Sequence, residues 1–547
     1  MSIDLPAAAP AGPPRFSIVT PVYDPPIDAL RAMITSVATQ PFPDWELCLV
    51  DDASTDAAVL DVLTEAASAD PRVRVTRRVE NGGIVRASND GLAMATGELL
   101  VFVDHDDVLG VDALGVIARA IDDHGPVDFA YTDEAKLLPD GRRGMPFYKP
   151  DWSPERMRSQ MYTGHLSVMR RSLVEALGGF REEFEGSQDY DLVLRLTERT
   201  DRILHIPEML YLWRALPTSA AGDTDAKPYA FEAGRRAVQE HCDRVGIDGT
   251  VELLPRAGCH RVRRRVRGEP LVSIVIPTRG GGSRVGGVPR VHVEHAVRSV
   301  VERSTYPNIE LVVVADRATP PEVVAALEEI GRGRLRLVWF DGPFNFSAKI
   351  NAGVLESSGD VILMLNDDVE VVTPDWIETL VALAQEPDCG MAGAKLLFAD
   401  GTLQHAGHVY LGGNMTHIYL GYPEDEPGME HMLHLERECS GVTAACAAVR
   451  RDVFEAVGGL CEDLATNFND VDFSLKIRQL GLRIVWTPHA VLYHFESSTR
   501  VRAVTSADVE IIGGRWGCVL AADPYYNPNL RVDRPDWVPR RTPDSWA

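Results

Sequence analysis

The segment FSIVTPVYD at residues 16–24 returns as VSIVIPTRG at 272–280, and three more segments return behind it in the same order. WELCLVDDAST (45–55) becomes IELVVVADRAT (309–319), and NDGLAMATGELLVFVDHDD (89–107) becomes NAGVLESSGDVILMLNDDV (351–369). GGF (178–180) with DYDLVLRL (189–196) becomes GGL (458–460) with DVDFSLKI (470–477). The offsets stay near about 260–280 residues, far beyond the roughly 20–50 of solenoid and propeller repeats. At 547 residues the chain exceeds one ordinary core. It is therefore two copies of a whole domain.

Within each copy, short β-branched runs (Ser17–Thr20, Ser273–Ile276) are followed by helical stretches at 28–40 and 294–304. This alternation predicts βαβ units and an α/β fold with a mostly parallel sheet in each copy. The expected organisation is a disordered leader at 1–14, a first domain at 15–250, a linker at 251–270, a second domain at 271–505 and a tail at 506–547. The linker contains RVRRRVRGEP and reads as a solvated hinge; the tail either wraps the second domain or stays loose.

Each copy also runs an apolar strand straight into acids, in LLVFVDHDD (99–107) and VILMLNDDV (361–369). Carboxylates gathered at the end of a buried strand repel one another unless a cation joins them. In an open parallel sheet that end faces the ligand crevice. On an extended segment Asp104 and Asp106 point one way and His105 the other. Two such oxygens suit Mg²⁺ or Mn²⁺, which complete their shell with phosphates and water. The competing explanation, that Asp106 and Asp107 cap a helix beginning near Asp112, loses weight because the pattern occurs twice.

A net charge of −25 argues against nucleic acid as a partner, since phosphate contacts need a basic surface. Eight cysteines without a CxxC pair read as free thiols in a reducing compartment. The start, MSIDLPAAAPAGPP, lacks the basic and apolar regions of a signal peptide. No apolar run reaches the roughly 18 residues that span a bilayer. The expected location is cytoplasmic.

In order and spacing, TPVYD, VDDASTD, NGGIVRASNDG, VDHDD and GSQDYDL resemble a family 2 glycosyltransferase domain of the GT-A fold. IPTRG, FNFSAKINAG, LNDDV, NDVDFSLKIRQLG and VWTPHAVLYHFES repeat the resemblance, which covers nearly all of residues 15–500. It implies tandem GT-A domains. Pro21, Tyr23, Asp52, Pro277 and Asp316 match positions that hold the nucleotide base, and Asn81, Arg86 and Lys349 join the nucleotide-sugar set. Asp104 and Asp106 match the metal-binding DxD, Asn366 and Asp368 stand there in the second copy, and His494 matches a histidine that completes the metal shell. Asp189 and Asp470 match the catalytic base, with an N-cap role as the rival reading.

The implied protein is an inverting glycosyltransferase using Mn²⁺ or Mg²⁺, with a nucleotide-sugar donor and a glycan or lipid-linked acceptor. It would build surface polysaccharide with both domains active, at the inner face of the membrane. The rivals are one active domain beside a carbohydrate-binding relic, and a nucleotidyltransferase, for which TPVYDPPID offers no Gly-rich basic loop. Two departures stand out. The first copy has Leu212 or Trp213 where the second has His494, and the second has Ala315 before Asp316 and Asn366 for the first acid of the DxD. His405 and His408 read as acceptor-side or structural residues rather than metal ligands.

Overall fold

Two sheets with one strand order carry the molecule. The structure, a computed structural model, describes residues 12–215, 228–285, 287–495 and 504–540. The first sheet runs Val73–Arg77, Trp45–Asp51, Phe16–Val22, Leu99–Phe102, Ser167–Arg170, Phe129–Leu137, Ile203–Arg214, Val108–Leu109. The second runs Leu335–Phe340, Ile309–Asp316, Val272–Thr278, Val361–Leu365, Cys446–Arg450, Cys389–Leu397, Arg483–His494, Val369–Val371, so each strand has its counterpart. The first four strands of each are parallel, as the βαβ alternation requires. Beyond them each sheet is mixed, because Ser167–Arg170 and Cys446–Arg450 enter antiparallel. The α/β class holds, with parallel pairing concentrated in the half that forms the crevice.

Several repeated motifs turn out to be packing devices. In NDG, Gly91 lies so close to Val19 that a Cβ there would meet Cγ1 at 2.6 Å. Gly353 in NAG presses Val275 in the same way, at 2.4 Å. Any side chain would push the helix off the sheet. Asn89 clasps the backbone of Phe180 through both ends of its amide, at 2.9 Å each, and Asn351 does the same to Leu460. This joins the helix to the GGF and GGL turns, where Gly179 (φ +71°) and Gly459 (φ +66°) hold the left-handed conformation.

The expected leader lies outside the described residues except for 12–14. The expected solvated hinge is instead a β-hairpin, Gly249–Leu253 with His260–Arg264. Strand alternation explains why: Arg263 faces out to Asp375 at 3.2 Å, while the Arg264 side chain is 3% exposed. Arg264 pairs with Glu155 of the first domain at 2.5 Å and Glu436 of the second at 3.2 Å. Arg483 joins Glu155 at 3.6 Å, and the Glu155 amide donates to Glu438 at 3.1 Å. Burial alone would raise the Glu155 carboxyl, but Arg264, Arg158 and Arg483 outweigh it and hold it down to about 2.

The described part of the tail, to residue 540, is neither loose nor confined to one domain. Its helix Ser506–Trp516 packs beside Asn469–Gln479, as Pro228–Val245 packs beside Gln188–Thr197 in the first copy. The repeat therefore continues past 505. Farther on, Asn527 reaches Asp133 of the first domain at 2.8 Å, while Asp523 accepts from Tyr410 N of the second at 2.9 Å. Residues 541–547 lie outside the described set.

Candidate functional site

The strands Phe16–Val22, Trp45–Asp51 and Leu99–Phe102 end side by side, which brings Pro21, Asp52 and the acids after Phe102 to one crevice. Asp52 accepts from Gly82 N at 2.9 Å and Gly83 N at 2.8 Å, and pairs with Arg78 at 2.9 Å. Asn81 donates to the Asp52 carbonyl at 3.2 Å. Tyr23 is 45% exposed at the rim. Arg86 pairs at the surface with Glu182, both oxygens of which it engages at 2.9–3.0 Å.

In the second copy the same carboxylate keeps a cation, but from elsewhere. Asp316 pairs with the buried Lys349 at 2.5 Å, and Arg279 approaches at 3.4 Å. Lys349 also donates to Thr278 O at 2.6 Å, beside Pro277. Phe340 stands where the first copy has Arg78, as the strand registers show, and Lys349 supplies the charge from the helix instead. Burial lowers the Lys349 ammonium, and Asp316 pulls it back.

Alternation after the strand holds as far as His105 and Asp367; in the first copy a turn at His105–Asp106, with Asp107 N donating to Asp104 O at 3.2 Å, then brings Asp107 rather than the expected Asp106 beside Asp104. His105 turns to Pro21 O at 3.2 Å, and Asp367 turns to Thr278 Oγ1 at 2.6 Å. The opposite face carries the groups that could hold a cation. In the first copy one ligand atom each of Asp104, Asp107 and His165 lie within 4.8 Å of one another. Asp107 is buried, accepting from Tyr211 Oη at 2.5 Å and Arg214 N at 2.7 Å. It does not cap the following helix, whose N-cap is Asp112. Asp106 is outside this trio. Burial, opposed by His105 and reinforced by Asp104, raises its carboxyl.

In the second copy His494 Nε2 meets Asn366 Nδ2 at 3.0 Å and Asp368 Oδ1 at 3.0 Å. Gln404 Oε1 accepts from His494 Nδ1 at 2.6 Å, while the Gln404 amide nitrogen faces His494 O at 3.4 Å. That orientation puts a proton on Nδ1; in the neutral ring Nε2 then carries the lone pair, toward which both the Asn366 amide and the Asp368 carboxylate are turned. A neutral histidine in this tautomer suits a cation held between Nε2 and Asp368, with Gln404 fixing the ring from behind. Mg²⁺ or Mn²⁺ therefore fits the donor set here.

The imidazole comes from different strands in the two copies. His494 ends Arg483–His494, and the first copy's equivalent strand carries Leu212 and Trp213. There His165 precedes Ser167–Arg170, stacked on Tyr211 with ring centroids 4.6 Å apart. Its loop is fixed by the buried Lys149, which donates to Thr163 O at 2.6 Å and His165 O at 2.5 Å while pairing with Glu134 at 3.1 Å. The sequence reading missed His165, Asp107 and Gln404. Only Asp107 gave a signal, inside the acid cluster itself.

Asp189 and Asp470 sit in the first turns of equivalent helices, Gln188–Thr197 and Asn469–Gln479, whose N-caps are Ser187 and Phe468. Neither acid is the cap. Burial raises the Asp189 carboxyl, with the Tyr190 amide and then His165 pulling it down. Burial likewise raises Asp470, with His417 and Thr443 opposing. Each is thus a carboxylate within electrostatic reach of a histidine, His165 or His417.

The glycosyl transferase family 2 model matches residues 17–178 and 273–458. The chain belongs to glycosyl transferase family 2. Both copies of the domain fall within the match, in line with the GT-A resemblance of their sequences. An uncharacterized protein of Sinorhizobium fredii, y4gI, is 44% identical over 540 residues, covering 96% of this chain and 58% of its own. The O-antigen biosynthesis protein RfbC of Myxococcus xanthus is 38% identical over 537 residues, covering 97% of this chain and 41% of its own. The chain therefore spans about half the length of these relatives. S. aureus TarS 1–349 in complex with UDP-GlcNAc aligns at a TM-score of 0.34 with 22% identity, covering 42% of this chain and 66% of that one. Among the described residues, no helix is long and apolar enough to cross a membrane.

Proposed function

We propose that each domain transfers a glycosyl group from a nucleotide-sugar donor to a hydroxyl of a glycan or lipid-linked acceptor, and that the two carry out separate steps of surface polysaccharide assembly. The observation that carries this reading is the repeated placement of a carboxylate of raised pKa, Asp189 or Asp470, in the first turn of a crevice-facing helix. The family supports the reaction class. The description of the M. xanthus relative supports the polysaccharide setting.

In this mechanism Pro21, Tyr23 and Asp52, with Asn81 and Arg86, hold the donor in the first copy; Pro277, Asp316 and Lys349 hold it in the second. A divalent Mg²⁺ or Mn²⁺ held at Asp104, with Asp106 or with Asp107 and His165, and at Asn366, Asp368 and His494, would offset the charge of the departing diphosphate. The acceptor oxygen bonds to the anomeric carbon as the carbon–phosphate oxygen bond breaks. The hydroxyl proton passes to Asp189 or Asp470, and the nucleoside diphosphate leaves with the electron pair. Attack opposite the leaving group inverts the anomeric centre. A base of raised pKa is better matched to accepting that proton near neutral pH than an ordinary carboxylate. The protein works at the inner membrane face, in peripheral association.

A screen of nucleotide sugars for donor hydrolysis by the full chain, with Mn²⁺, with Mg²⁺ and with EDTA, tests this. The expected result is turnover of one or two donors that EDTA abolishes and metal restores. No turnover of any donor, or full activity in EDTA, refutes the assignment.

A further inference from the structure

Three histidines converge in the second domain outside the donor site. A short strand, Leu403–His405, is followed by a hairpin, His408–Leu411 with Asn414–His417, in which His408 and His417 are directly opposed. Cross-strand register therefore brings two imidazoles together, and the turn at Gly407 (φ +101°) returns the chain so that His405 joins them. The ring centroids lie 4.8, 4.9 and 5.1 Å apart, with the rings close to perpendicular. One ring nitrogen from each lies within 4.8 Å of the other two.

Hydrogen bonding leaves this cluster incomplete. His405 Nδ1 contacts His417 Nδ1 at 2.7 Å, and His405 Nε2 accepts from Thr443 N at 3.2 Å. His408, 5% exposed, keeps Nδ1 buried without a hydrogen-bond partner. A buried polar atom left unpaired is uncommon in folded proteins and points to an absent ligand. Burial also keeps all three rings neutral, with His408 lowered to about 4 and His417 to about 3. Neutral imidazole is the form that binds metals.

From this convergence we infer that His405, His408 and His417 form a site for one transition-metal dication of the zinc class, separate from the Mg²⁺ or Mn²⁺ position at Asp368. Imidazole nitrogens favour zinc-like ions, whereas the oxygen-rich donor site suits the harder cations. Three nitrogen ligands leave a fourth position, as open zinc sites do. His408 Nε2 lies 3.9 Å from Asp470 Oδ2, which sets the cluster beside the proposed base. Binding through His405 Nδ1 would move its proton to Nε2 and give up the long contact with the Thr443 amide. Two contacts are lost, this one and the 2.7 Å contact between His405 Nδ1 and His417 Nδ1, against three metal–nitrogen bonds.

The test uses the full chain, stripped by chelator, dialysed and saturated with Mg²⁺. Titration with Co²⁺ should produce the visible d–d band of a low-coordinate site at one equivalent, and Zn²⁺ should bleach it. His408→Gln and His417→Gln should lose the band, while Asp368→Asn keeps it. No band in the wild-type chain overturns the proposal and leaves a hydrogen-bonded histidine cluster. A band that survives His408→Gln in a protein with native circular dichroism, or that disappears in Asp368→Asn, overturns it as well. The wild-type titration decides the matter even if a variant fails to fold.

Discussion

Replacing Glu155 by glutamine should loosen the two domains without disturbing either crevice. Its side chain is fully buried against Arg264 at 2.5 Å, Arg158 at 3.1 Å and Arg483 at 3.6 Å. A carboxyl moved from 4.5 to about 2 reports roughly 3 kcal/mol of interaction, at about 1.4 kcal/mol per pH unit. Breaking one partner of a buried ion network typically costs about 3–5 kcal/mol. Glu436 stays at 3.2 Å from Arg264 and recovers part of that, so the expected loss is about 2–4 kcal/mol. The folded-state pKa is depressed, so this stability is present above the ordinary glutamate value and disappears as pH falls toward about 2. Hydrogen exchange at neutral pH should show protection of the hairpin Gly249–Leu253/His260–Arg264 and of residues 436–438 falling by about 10²-fold, with the sheet cores unchanged. The gap between wild type and variant should close in acid. Unchanged protection at pH 7 would refute the claim that this network couples the domains.

Asp189→Asn should stop one glycosyl addition and Asp470→Asn the other, each by about 10²–10⁴-fold, with mixed variants restoring extension; an unchanged product ladder from either variant marks that domain as a binding relic. Because burial raises Asp470 in the folded state, its ionisation costs stability as pH rises through that pKa, so Asp470→Asn should melt higher than wild type at neutral pH while losing activity. His494→Ala should raise the metal requirement of the second domain alone, and His165→Ala that of the first; identical metal titrations in folded variants return both to structural roles. Lys349→Met should destabilise the second domain by about 1–3 kcal/mol by stranding Asp316, measured by urea unfolding, and should weaken donor binding there.

The sequence alone determined the duplication, the α/β class, the strands that end in acids and the helices that open on Asp189 and Asp470. These are local facts, since periodicity, chain turns and adjacency are written in consecutive residues. Alternation was legible as far as His105 and Asp367, which turn to Pro21 O and Thr278 Oγ1, but the turn after His105 set Asp107 rather than Asp106 beside Asp104. Tertiary structure decided which distant side chains complete each site. Arg78 and Lys349 hold equivalent carboxylates from different elements, and His165 and His494 reach equivalent acid clusters from different strands. Asn366 and His494 are 128 residues apart, and nothing in the local pattern of either indicates the contact. RVRR looked like a solvated charge run because composition is blind to which face of a strand meets a buried glutamate. Register settles such contacts, since a slip of one residue turns every side chain to the other face. For the same reason His408 and His417 became neighbours only when the hairpin paired them.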